Sequence, residues 1–299
     1  MTLFAEGLLK PNNCIRPLGE KKTLELLQLF DYTFIIRALI AGSFIALLCS
    51  SLGVILVLRR LSLIGDGLAH VTFGGVALGL FLKTQPLYIS MVIAAASSLA
   101  ILKLTEKTRV YGDAAIGIVS AVGVSGGVLL AGIASGFNVD LFSYLFGNIL
   151  SVTIEEVVTS VALSCVVLAL IAFRYRQLLS IAFDEEFARI SGVSTSRINA
   201  LLALLTAVTV VLAMKLVGIM LTSALLIIPA VSAFQIARSF RATIIFAAVL
   251  SVISVWAGIA ISFLLNLPTG ATIVLLNFAF FLILYALKTV MNRVPKHGR

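Results

Sequence analysis

The sequence predicts an all-α, polytopic transmembrane helical bundle of about eight to nine membrane helices, and three observations predict it. Hydrophobic residues make up 61% of the 299-residue chain and charged residues only 12%, about half the share of a soluble domain. Uncharged runs recur at 38–58, 84–102, 114–139, 157–173, 198–214, 216–237 and 242–287. A span needs about 20 largely apolar residues, because a helix rises about 1.5 Å per residue across a hydrocarbon core about 30 Å thick. The runs are also apolar on every face, as in LLALLTAVTVVLAM (201–214), and do not alternate like the strands of an outer-membrane barrel.

In chain order, residues 1–32 form a basic amino-terminal extension with Lys10, Arg16, Lys21 and Lys22 and no signal-peptide pattern. Within it, 23–30 reads either as an interfacial amphipathic helix or as a flexible tail. Spans are expected near 33–58, 62–82, 86–103, 114–135, 155–175, 197–215, 218–237, 242–264 and 271–289. Pro268 and Gly270 divide the last long run by a turn. Residues 33–289 thus make one membrane domain, followed by a basic cytoplasmic tail at 290–299. Three cysteines lack metal-type spacing, and Cys49 and Cys165 read as small packing residues.

Basic residues flank alternate segment ends: Arg59 and Arg60, Lys103 to Arg109, Arg174 and Arg176, Arg238 and Arg241, and Lys288 onward. The positive-inside tendency places these clusters, and the carboxyl terminus, in the cytoplasm of a multi-pass cell-membrane protein. A count of nine spans then puts the amino terminus outside, against its own basic charge. The formal charge of +9 calls for no nucleic acid, since anionic lipid beside basic loops is sufficient.

The largest polar interruption, near 177–196, contains FDEEFARISG (183–192). Asp184 near the start and Arg189 near the end suit the helix dipole, and Gly192 terminates the helix. Phe183, Phe187 and Ile190 recur at helical spacing and are expected to brace it by packing. The segment reads either as an ordinary polar loop or as a docking helix for a separate motor. No G-x-x-x-x-G-K-[ST] loop occurs in the sequence, so ATP chemistry would come from another chain.

Asp66 and His70 lie four apart in an otherwise apolar segment and share one helical face. A carboxylate there needs compensation. It is either a structural lock with His70, Arg59 or Arg60, or half of a transient site for a divalent transition ion. Only one other histidine exists, His297 in the basic tail, so a permanent centre with three or four ligands is disfavoured and passage is favoured. Gly65, Gly67, Gly74, Gly75 and Gly79 narrow the same segment for close packing, with G-x-x-x-G spacings at 75–79 and 123–127. Pro229, inside the run 216–237, is a candidate helix kink. Asp140, Glu155 and Glu156 fall at span ends and read as solvated interfacial acids or as an acidic entrance.

Five segments in this order resemble the membrane subunit of the zinc/manganese/iron-type ATP-binding-cassette importer family: LVLRRLSLIGDGLAH (56–70), LFSYLFGNIL (141–150), FDEEFARISG (183–192), KLVGIMLTSALLIIP (215–229) and LPTGATIV (267–274). The resemblance covers nearly all of 34–289. It implies a permease with no catalysis and no permanently bound cofactor of its own. Its partners would be a second copy of itself, two copies of a cytoplasmic cassette ATPase that uses ATP, and an extracytoplasmic metal-binding protein. Asp66 and His70 would line the metal route. Phe183, Asp184, Glu185, Glu186, Phe187, Ala188, Arg189 and Gly192 would contact the ATPase. The cargo implied is Zn2+ or Mn2+, with Fe2+ in the same class. An ion-coupled secondary metal transporter is the rival, since it also uses kinked helices and sparse intramembrane charge.

Overall fold

In the computed structural model, which describes residues 33–108, 111–133, 147 and 152–293, the long apolar runs fold into helices. In chain order these are α1 (Thr33–Leu58), α2 (Ile64–Phe81), α3 (Pro86–Thr108), α4 (Gly112–Ile133), α5 (Ile154–Phe173), α6 (Tyr175–Phe183), α7 (Glu185–Ile190), α8 (Thr195–Val217), α9 (Ile219–Ala233), α10 (Phe240–Leu265) and α11 (Thr269–Arg293). Among the described residues, 8 helices are long and apolar enough to cross a membrane. The ninth apolar run is α9, whose 15 residues reach only about 22 Å against a core about 30 Å thick. It follows α8 through a buried turn at Gly218, where φ of 93° demands glycine. This turn accounts for the eight-or-nine ambiguity in the sequence.

Helix ends obey local chemistry. Thr153 caps α5 in a capping box with Glu156, each side chain satisfying the other residue's backbone N–H. Ser239 accepts from the Ala242 N–H at the start of α10. Asn266 ends α10 in the left-handed region at φ 52°, so the turn falls at 266–268, while Gly270, expected to supply it with Pro268, already lies in α11.

The interior is built on α1, α2 and α8, the most deeply buried spans. Glycines let α2 approach its neighbours closely: Gly75 and Gly79 meet the backbone of Ser90 and Pro86 on α3, and Gly74 faces the Gly123 carbonyl of α4. Buried hydroxyls satisfy themselves on the preceding turn, as Thr72 does on the Leu68 carbonyl at 2.7 Å and Thr206 on Leu202 at 2.8 Å. Ser254 donates to Asn277 Oδ1 at 2.9 Å and ties α10 to α11. Cys49 is buried in α1, but Cys165 is exposed on α5, contrary to the packing role expected for it; the side chain faces outward, where the surrounding solvent of a span is lipid.

The basic segment ends gather at one end of the bundle. Arg59 reaches Glu185 and Asn199, Arg241 lies over the Tyr175 ring, and Lys288 donates to Gln235 at 3.1 Å. By the positive-inside tendency this end is cytoplasmic. At the other end Gln85, Tyr88, Thr153 and Glu155 line a common cavity. Thr33 begins α1 at that far end, where Phe34 packs 6.4 Å from Phe263. Expectations for residues 1–32, Asp140, the 141–150 block apart from Gly147, and His297 fall outside the described residues.

Candidate functional site

α2 starts without a side-chain cap, and Asp66 in its first turn places a carboxylate near the positive end of the helix dipole. His70 Nε2 lies 3.6 Å from Asp66 Oδ2, too far for a firm hydrogen bond. Two donors each about 2.1 Å from one tetrahedral ion sit about 3.4 Å apart, so this separation already suits bridging by a metal. On the opposite oxygen, Ser223 of α9 donates to Asp66 Oδ1 at 3.3 Å. The neighbours Gly65, Gly67, Leu68, Ala69 and Val71 are buried, whereas the side chains of Asp66 and His70 are 50% and 29% exposed. The next position on this line, Gly74, packs against the Gly123 backbone of α4, so the accessible part of the face is its first two turns, at Asp66 and His70.

Neither Arg59 nor Arg60 is the partner of Asp66, the second arrangement the sequence left open. Arg59 is taken by Glu185, and Asp66 is left with His70 and Ser223. Among the described residues no group of three or more His, Cys, Asp or Glu converges as a metal cage. Asp66 and His70 are therefore a pair of potential donors rather than a cage of three or more.

α9 wedges Ser223 into place. Its Leu226 lies against Gly53 of α1, where a Cβ would collide with the Leu226 backbone, and its side chain reaches Gly65 of α2. Pro229 is buried within α9, which runs through it as one helix, and its missing N–H leaves the Leu225 carbonyl without that partner.

The polar interruption between α5 and α8 holds the short helix expected at 183–190, as α7, and a second one, α6, ahead of it. α6 and α7 meet at Asp184, whose extended backbone and side chain cap α7 by accepting the Phe187 N–H at 2.9 Å. Gly192 closes α7 at φ 84°, and the Val193 N–H bonds back to the Ala188 carbonyl at 3.0 Å. The bracing differs from the sequence expectation. Phe183, Phe187 and Ile190 are 70%, 63% and 84% exposed, and Ala188 is the α7 residue that is buried. A helix of six residues has room for only one inward position per turn, and the small side chain takes it, which leaves the large ones outside with Glu186 and Arg189.

The stronger brace is polar and was not visible in the sequence. Glu185 accepts from Arg59 Nη2 at 2.7 Å and from Asn199 Nδ2 at 2.7 Å, while Arg59 Nη1 donates to Asn199 Oδ1. The Arg59 side chain is only 10% exposed; burial lowers its pKa from the usual arginine value, and Glu185 opposes that shift. This trio joins α7, α8 and the α1–α2 link, and borders a cavity of about 300 Å3 that also touches Ile64 of α2 and Ile116 of α4. The only local hint was an arginine pair at a helix end and an acid in the loop.

The chain is 31% identical over 255 residues to the Haemophilus influenzae high-affinity zinc uptake system membrane protein ZnuB, covering 85% of this chain and 98% of that one. It is 31% identical over 272 residues to the Halalkalibacterium halodurans manganese transport system membrane protein MntC, covering 91% and 93%. The solved structure of PsaBC from Streptococcus pneumoniae in complex with Fab superposes with a TM-score of 0.80 at 30% identity, covering 88% of this chain and 95% of that chain. Residues 31–288 match the family model for the ABC 3 transport family, and this multi-pass helical membrane chain belongs to that family.

Proposed function

We propose that the chain is the membrane permease of an ATP-driven importer of divalent transition-metal ions, with zinc the first candidate cargo and manganese the second. The observation that carries this reading is the accessible Asp66–His70 pair on α2, set beside Ser223 and on the helix that follows the Arg59 link to α7. A carboxylate oxygen and an imidazole nitrogen suit Zn2+, Mn2+ or Fe2+. With two donors they lower the desolvation cost of passage yet release the ion.

The permease acts with a second copy of itself, two cytoplasmic cassette ATPases and an extracytoplasmic metal-binding protein. A second copy is supported by α4, whose exposed Gly117, Ala121 and Ser125 form a smooth face. ATPase docking is supported by the apolar surface of Phe183, Phe187 and Ile190, framed by Glu186 and Arg189. Nucleotide-driven movement of α7 passes through Glu185 and Arg59 to the α1–α2 link. The link re-orients α2, which carries Asp66 and His70, relative to α9, which carries Ser223 and Pro229. Two separated sites thereby bias one conformational equilibrium.

Competitive uptake of labelled zinc and manganese into vesicles holding the complete complex tests the reading. Uptake should require ATP and the cassette ATPase, and metal uptake that survives without that ATPase would assign the chain to secondary transport.

A further inference from the structure

A second concave surface lies away from the metal route, at the cytoplasmic edge of the bundle. There the last turns of α5, the start of α6 and the first turns of α10 enclose a groove of about 750 Å3. Its membrane-side walls are Leu168 and Ile171 of α5 and Ile244 and Ile245 of α10. Its cytoplasmic rim carries Arg176, Gln177 and Arg241. Arg241 is held with its guanidinium 5.5 Å from the Tyr175 ring centroid, and that ring in turn packs 5.6 Å from Phe240. Both arginines are exposed, and among the described residues no carboxylate pairs with either.

Apolar walls toward the bilayer followed by paired cations at its boundary repeat the order of groups along a phospholipid. The basic rim also has the charge complementary to a lipid phosphate, and basic pockets between helices on the cytoplasmic side attract acidic headgroups. A soluble anion would use the rim but not the walls; a protein partner would leave the membrane-side walls uncovered. We propose that this groove holds an anionic glycerophospholipid of the cytoplasmic leaflet, its phosphate on Arg176 and Arg241 and its acyl chains along Leu168, Ile171 and Ile244. The lipid sits beside the start of α6, and Phe240, which packs on Tyr175 there, also lies 6.3 Å from Phe183 at the end of that helix, so the lipid steadies the base of α6. This inference rests on the bilayer-spanning fold alone, and holds whichever energy source drives transport.

Native mass spectrometry of the purified full chain, titrated with phosphatidylglycerol and separately with phosphatidylcholine, tests it. The unmodified chain and an R197Q/K288Q control, which loses the same charge at the same end, should each bind phosphatidylglycerol at least tenfold more tightly than phosphatidylcholine. R176Q/R241Q should lose that preference. If the double variant does not fold, the single variants Arg176→Gln and Arg241→Gln, both at exposed positions, should each lose threefold or more. Equal lipid preference in the variants overturns the proposal. So does displacement of phosphatidylglycerol by millimolar inorganic phosphate, which would make the rim a soluble-anion site. Unchanged lipid retention with loss of a co-purified ATPase would likewise assign the groove to protein docking and overturn it.

Discussion

Arg59, the first residue after α1, holds its Nη2 atom 2.7 Å from Oε2 of Glu185, the first residue of α7, across a separation of 126 positions in the chain. The guanidinium is nearly dry while the carboxylate is half exposed, so the pair loses more when Glu185 is removed than it would at an open surface. Arg59 belongs to the link into α2, and Asp66 lies in the first turn of that helix. The contact thus ties α7 to the link that leads into α2, the path by which the proposed mechanism would pass movement from one to the other.

Glu185→Ala leaves the Arg59 guanidinium without its counter-ion and Asn199 Nδ2 without its acceptor, while Arg59 Nη1 keeps Asn199 Oδ1. It should destabilise the complex by about 1–3 kcal/mol, the usual scale for a lost hydrogen bond to a charged group. Thermal unfolding gives the loss of stability, and ATP turnover per metal ion imported should rise because hydrolysis is no longer tied to movement of α2. Unchanged stoichiometry would mean that force reaches α2 by another path.

Asp66→Asn preserves size and keeps the Ser223 contact available but removes the charge that an ion would meet. Import should drop tenfold or more, about 1.4 kcal/mol in effective barrier, with assembly intact by size-exclusion chromatography. His70→Ala should behave similarly, whereas Ser223→Ala should cost only a few-fold because the hydroxyl orients the carboxylate without being needed as a charge. Normal import by folded Asp66 and His70 variants would remove them from the route.

On α7 the two faces should separate cleanly. Ile190→Ser and Phe187→Ser alter exposed side chains, so thermal stability of the isolated chain should stay within about 0.5 kcal/mol while ATPase binding in a pull-down weakens. Ala188→Leu places bulk where Ala188 is fully buried and should cost about 1–3 kcal/mol of stability. The reverse pattern would restore the inward bracing that residue spacing suggested.

Glycine substitutions report the packing of α2. A Cβ on Gly74 would stand 2.5 Å from the Gly123 carbonyl oxygen, and that backbone has no flexible end to retreat. Gly74→Ala should therefore lower the yield and unfolding temperature of the chain by an amount equivalent to about 1–3 kcal/mol. Gly192→Ala meets no steric obstacle but keeps φ at 84°, and its cost should be about 1–2 kcal/mol, confined to the end of α7 and detected as local proteolytic sensitivity.

Much of the candidate site was legible in the primary structure because its signals are local. The Asp66–His70 face follows from four-residue spacing on a helix, the α7 cap from Asp184, and the α7 stop from Gly192. The same local logic failed at Phe187 and Ile190, whereas Phe183, though largely exposed, does meet Phe240. Helical spacing says that side chains share a face, but it does not say whether that face meets the bundle or a partner.

The amino-acid sequence by itself determined the membrane-spanning helices, their cytoplasmic ends and the turn at Asn266, since run length, charge and backbone preference act within a few residues. Tertiary structure alone decided that Arg59 belongs to Glu185 and Asn199, that Ser223 reaches Asp66 across 157 positions, and that α5 and α10 enclose a basic-rimmed groove. The physical reason is that uniformly apolar helices carry little rotational information of their own. Their facing is fixed only when glycine contacts such as Gly74 with Gly123 and polar pairs distant in the chain find each other during packing.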